Sequence, residues 1–104
     1  MSYQRSGPAA WALHPGEILK QEFLKPLKLS GYALAKGIRV TPQSVSDIVL
    51  KKKGISADMA VRLGVFFNTT PEFWMNLQAA YELATARQQN KKQVAKIRPY
   101  HHAA

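Results

Sequence analysis

Gln43, Ser44, Ser46 and Asp47 carry short hydrogen-bonding side chains within one five-residue stretch, and Pro42 stands directly before them. Groups of this kind can meet the edges of base pairs in a DNA groove. Immediately downstream, Lys51, Lys52 and Lys53 place three ammonium groups in a row, the charge that phosphates attract. Tyr32, Lys36, Arg39 and Thr41, just upstream, add donors suited to a phosphate backbone. Each group has a plainer reading: a polar residue on a helix usually meets only water, and a lysine run is usually a solvated loop. Their order along the chain favours contact with DNA, with base-edge readers first and phosphate binders after them.

Catalytic chemistry finds no comparable support. Glu17 and Glu22 do not form an evident acid/base pair, and no Ser-His-Asp arrangement or phosphate-cradling glycine loop is present. The six acidic residues are scattered, whereas a metal-dependent nuclease needs them clustered. His14 suits a contact at a helix start. His101 and His102 are adjacent but lack a third ligand. With no cysteine, disulfides, thiolate nucleophiles and cysteine-ligated zinc are excluded. The expectation is a protein that is no enzyme, with no cofactor and no metal.

The net charge of +9 over 104 residues points to a polyanionic partner: nucleic acid, an anionic membrane or an acidic protein surface. All acidic residues lie between Glu17 and Glu82, so both ends are purely basic. The basic residues do not gather on one face of an amphipathic helix, which argues against a membrane surface. No apolar run approaches the roughly 20 residues that span a bilayer. Residues 1–13 lack the apolar region of an export signal, so a cytoplasmic location is expected.

These side chains need helices to position them. Leu19, Phe23 and Leu27, four apart, predict a first helix from Pro15 that Pro26 ends or tightens. Ser30 caps a second helix that buries Leu34, Ala35 and Ile38. Thr41 and Pro42 open a third, with Val45, Ile48 and Val49 facing inward. Ser56 opens a fourth that buries Met59, Ala60, Leu63 and Phe67. Thr70 and Pro71 open a fifth, with Phe73, Trp74, Leu77, Ala80, Tyr81 and Ala84 on a broad apolar face. The second and third helices, joined by about three residues, make a helix-turn-helix. Residues 1–13 read as a flexible arm with Trp11 docked on the core, 14–88 as the folded domain, and 89–104 as a basic, disordered tail carrying Lys91, Lys92, Lys96 and Arg98.

The segment Ser30 to Ile48 resembles the Cro/cI-type helix-turn-helix, the XRE family. More closely, the chain is similar to the HigA-type antitoxins, also known as virulence-associated protein I. The matching stretches are His14-Pro15-Gly16-Glu17-Ile18-Leu19, Leu34-Ala35, Lys53-Gly54-Ile55-Ser56, Ala60-Val61-Arg62-Leu63 and Thr70-Pro71-Glu72-Phe73-Trp74-Met75-Asn76-Leu77-Gln78. The resemblance covers residues 14–84. It implies an all-α, five-helix, lambda-repressor-like DNA-binding domain. It also implies a homodimer that represses its own promoter by binding double-stranded operator DNA and neutralises a HigB-type ribonuclease toxin. The alternative is a solitary transcription regulator without a toxin.

Three positions depart from the family pattern. Arg39 stands where the turn often has glycine, which leaves either a reshaped turn or a non-glycine residue at positive φ. Gly31 replaces a common DNA-contacting glutamine. Pro42 and Asp47 replace longer or basic side chains, and Asp47 could accept from a cytosine amino group. Phe73, Trp74 and Tyr81 exceed what a small core readily hides, which makes them candidates for a dimer interface. The toxin is expected against Glu17, Glu22, Glu72 and Glu82, on the first and fifth helices and away from the DNA-reading helix.

Overall fold

The computed structural model describes residues 13–100. Helix α1 runs over residues 15–27, followed by α2 (Gly31–Ile38), α3 (Pro42–Val49), α4 (Ala57–Phe67), α5 (Pro71–Gln89) and a single turn, α6 (Lys91–Val94). No strand occurs among the described residues. Trp11, His101 and His102 lie outside them, as does nearly all of the expected arm.

Local chemistry starts the helices. The side-chain oxygens of Ser30, Thr41, Ser56 and Thr70 each accept a hydrogen bond from the backbone N–H three residues on, at 3.0, 3.2, 3.1 and 3.1 Å. Caps of this kind contribute about 1 kcal/mol each. His14 caps α1 with its ring: Nδ1 accepts from the N–H of Gly16 at 2.9 Å.

Helices α1, α2 and α4 stop at left-handed residues, Lys28 (φ 53°), Arg39 (φ 65°) and Asn68 (φ 57°), and a fourth, Lys51 (φ 66°), lies just past the end of α3; none of the four is glycine. Of the two outcomes open at the turn, Arg39 therefore adopts positive φ. Its neighbourhood supports that conformation. Val40 N–H donates to the Ala35 carbonyl at 3.0 Å. Arg62 Nη1 donates to the carbonyls of Ile38 (2.8 Å) and Arg39 (3.3 Å). Arg62 is in turn held by Asp58, Nε to Oδ2 at 2.8 Å.

Helix α1 differs from a regular α-helix. Leu19–Leu24 winds as a π-helix between Pro15–Ile18 and Lys25–Leu27. The N–H of Lys25 donates to the carbonyl of Lys20, five residues back. That wider turn brings Leu19 and Leu24 to the buried side together. The expected four-residue stripe fails at its end, because Leu27 is 60% exposed and Leu24 takes the core position.

Leu19, Leu34, Ala35, Val45, Ala60, Leu63 and Trp74 form the centre of the core. Phe23 packs against the rings of Phe67 and Trp74, with centroids 4.7 and 4.9 Å apart. Trp74 has no exposed surface, and its Nε1–H donates to Thr69 Oγ1 at 2.8 Å. A side chain with no exposed surface has none to offer a partner, so Trp74 is a core residue and not a dimer contact. Phe73 remains 38% exposed, and Tyr81 packs edge-on against His14 with centroids 4.9 Å apart. Beyond Gln89 the expected disordered tail begins instead as α6, with every described side chain from Ala86 onward exposed.

Candidate nucleic-acid interface

Helix α3 is anchored by Val45 and Ile48, which are 1% and 3% exposed. With those two facing inward, Pro42 and Gln43 are left exposed, and Ser44, Ser46 and Asp47 are half-buried. Thr41 and Ser44 are paired through their hydroxyls at 2.9 Å, in addition to the cap. Thr41 is thus first a helix-starting residue, with its hydroxyl already engaged.

The far end of α3 is locked by the lysine loop. The N–H groups of Lys52 and Lys53 donate to the Asp47 carbonyl at 2.7 and 3.1 Å, and Lys51 N–H donates to the Ile48 carbonyl at 3.0 Å. The left-handed turn at Lys51 presents all three lysines to solvent. Two of them face carboxylates: Lys51 Nζ lies 3.4 Å from Glu17 Oε1, and Lys53 Nζ 3.7 Å from Asp47 Oδ2. The Lys52 ammonium has no side-chain partner among the described residues.

Asp47 occupies an outward register, yet its side chain is only 13% exposed. The Gln43 amide donates to it, Nε2 to Oδ1 at 2.7 Å, and Lys53 lies on its other oxygen. On α2, Tyr32 is 66% exposed, and Lys36 is also exposed; Arg39, at the helix end, is exposed as well. At Gly31 an added Cβ would meet only Val45 Cγ1 at 3.5 Å, so space does not demand glycine there.

Residues outside the predicted site hold it in place. Gly16 passes under the C-terminal end of α3, and a Cβ there would overlap the carbonyl oxygen of Ile48. Buried Gln78 spans from α5 to the loop after the lysines: Oε1 accepts from Ile55 N–H at 2.7 Å, and Nε2 donates to Glu82 Oε2 at 2.7 Å. In the sequence Gln78 closes the family-matching stretch that begins at Thr70 and is a polar residue on an otherwise apolar helix face.

Burial, and then the nearby Lys51 charge, hold the His14 imidazole below its ordinary 6.5, against the pull of its hydrogen bond to the Lys53 backbone. Burial pushes Glu17 upward, but hydrogen bonds from Gln21 and Lys51 and the charges of Lys51 and Lys20 outweigh it, leaving the carboxyl below its usual range. Of the four carboxylates expected to face a toxin, Glu17 and Glu82 thus already have partners within the chain. No group of three potential metal ligands occurs among the described residues, and no helix there is long and apolar enough to cross a membrane.

A family model described as "Helix-turn-helix" matches residues 20–74. Virulence-associated protein I of Dichelobacter nodosus is 48% identical over 77 residues, 74% of this chain and 71% of that protein. Antitoxin HigA-1 of Vibrio cholerae is 33% identical over 84 residues, 81% of this chain and 79% of its own length. The solved structure of Pseudomonas aeruginosa antitoxin HigA with the higBA promoter superimposes with a TM-score of 0.83 at 50% identity, covering 86% of this chain and 99% of that one.

Proposed function

The chain belongs to the helix-turn-helix family and is a DNA-binding repressor of the HigA antitoxin type; on that premise we propose that it binds an operator in its own promoter as a cytoplasmic homodimer and neutralises a ribonuclease toxin. The observation that carries this reading is α3 itself, a capped helix with exposed Gln43 at its start and three exposed lysines at its end. In this reading Pro42, Gln43, Ser44 and Ser46 face base edges. Tyr32, Lys36, Arg39, Thr41 and the lysine loop hold the phosphates. A dimer supports two recognition helices one DNA turn apart, about 34 Å. Helix α5 is the natural seam, because Ala79, Leu83 and Ala86 are exposed at helical spacing on its outer side. Glu22 and Glu72 remain as carboxylates for the basic surface of an RNA-cleaving partner.

The test is binding of the purified protein to duplex DNA from upstream of its gene, against a scrambled duplex, as salt is raised. Sequence preference, a steep salt dependence and a dimeric mass in sedimentation are the expected results. Equal affinity for both duplexes overturns the repressor reading. Co-expression with the adjacent gene product tests the toxin: a growth arrest relieved by this protein supports it. A harmless neighbour leaves a solitary regulator.

A further inference from the structure

Asp47 is the one acidic group on the outer side of α3, where a free carboxylate would repel DNA phosphates. It is not free. Gln43 donates to one of its oxygens at 2.7 Å and Lys53 lies 3.7 Å from the other, and its side chain is left 13% exposed. From this arrangement we infer that Asp47 touches no base and is a positioning residue, one that aims the Gln43 amide to read adenine. The inference rests on the reading of α3 as the recognition helix.

The chemistry follows from what each group can do. A glutamine amide has a donor end and an acceptor end of nearly equal shape, and which end points where is set by its neighbours. An ionised carboxylate only accepts, so it takes the nitrogen end. Held in this way, Gln43 still offers its carbonyl oxygen as an acceptor and its second N–H as a donor. Adenine presents the complementary pair in the major groove, the N6 donor beside the N7 acceptor. Guanine presents two acceptors there and satisfies only half of that pattern. Lys53 offsets the Asp47 charge, so the carboxylate orients its neighbour without a net repulsion at the DNA surface. This explains why an acidic residue stands within a DNA-reading helix followed by a basic loop.

Four variants, each checked for helicity by circular dichroism, are to be titrated against the promoter duplex: Asp47→Ala, Asp47→Asn, Gln43→Ala, and the double variant that combines Gln43→Ala with Asp47→Ala. The same variants are then titrated against duplexes with each A·T pair changed to G·C and against one with 7-deazaadenine. For wild type, one A·T pair per half-site should matter by roughly tenfold or more, the scale of a bidentate contact, and 7-deazaadenine there should weaken binding several-fold. Gln43→Ala should erase that preference. Asp47→Ala should shrink it at the same base pair, Asp47→Asn should retain part of it, and Asp47→Ala should change nothing further in the absence of the Gln43 amide. Binding of Asp47→Ala to scrambled DNA should be equal or tighter, because Lys53 is released. The free protein supplies an independent readout. The Gln43 side-chain N–H pair should give two well-separated NMR resonances that collapse towards the random-coil positions in Asp47→Ala. If those resonances do not move, or if Asp47→Ala alters preference at a different base pair, or still alters it without Gln43, the positioning role is wrong. Sequence preference that survives in all four variants instead refutes α3 as the reading helix.

Discussion

The carbonyl of Ile48, in the last turn of α3, lies where a Cβ on residue 16 would be. The start of α1 and the end of α3 therefore cross at backbone distance. His14 caps α1 beside this crossing and packs on Tyr81 of α5, so three helices meet at the base of the lysine loop.

Gly16→Ala should be costly. The opposing atom is backbone and cannot rotate away, so α1 must lift off α3. A loss at or above the usual overpacking range of about 1–3 kcal/mol is expected in urea denaturation, together with weakened DNA binding. Gly37→Ala makes the contrast. Its Cβ would lie 2.5 Å from the Phe66 ring, but that ring is a side chain, 41% exposed with Phe67 edge-on at 5.1 Å, and can turn outward as backbone cannot. Alanine also gains about 1 kcal/mol of helix propensity over glycine, so stability should change little. Equal losses for the two variants would contradict this account.

Stability should fall on mild acidification. The His14 value is lowered in the fold, so the neutral ring is the favoured form. Its contribution is complete above 6.5 and is lost as pH drops through the folded value. Glu17, also lowered, loses its contribution only below its own ordinary 4.5. Thermal melts between about pH 7 and 5 should therefore report mainly His14. His14→Asn keeps a capping side chain that does not titrate and should flatten the slope; an unchanged slope would assign it to another group.

Arg39→Gly should raise stability by about 0.5–1 kcal/mol, since a left-handed residue with a Cβ costs roughly 1–2 kcal/mol and glycine returns part of this as extra unfolded-state entropy. If Arg39 also meets a phosphate, the same variant should bind DNA more weakly. Opposite signs in melting and in binding are the signature to look for.

The three lysines should not behave alike. Removing a lysine that neutralises one phosphate should reduce the slope of log K against log salt by about 0.9. Lys52→Ala should show the full effect. Lys51 is shared with Glu17, so Glu17→Gln should tighten binding by releasing it. A neutral Glu17→Gln result would place Lys51 away from the DNA.

Much of the fold was legible because helix starts are local. Ser30, Thr41, Ser56 and Thr70 each announce a helix within four residues, and each caps one. Features set by distant partners were not legible. The π turn in α1 exchanges Leu27 for Leu24 because both Leu19 and Leu24 must reach one core. Asp47 reads as an outward acid until Lys53 folds back over it. Trp74 reads as surplus aromatic bulk until Phe23 and Phe67 enclose it.

Four helix ends with positive φ and no glycine leave this chain below the stability its fold could reach. Lys28 and Asn68 close α1 and α4 and lie outside α3, so glycine at either would relax the backbone without altering the side chains of α3. Most substitutions destabilise and are tolerated only above a threshold, so stability gained at these ends becomes mutational tolerance. A Lys28→Gly, Asn68→Gly background widens it and, under the proposed reading of α3, is the form in which new operator specificities are best sought.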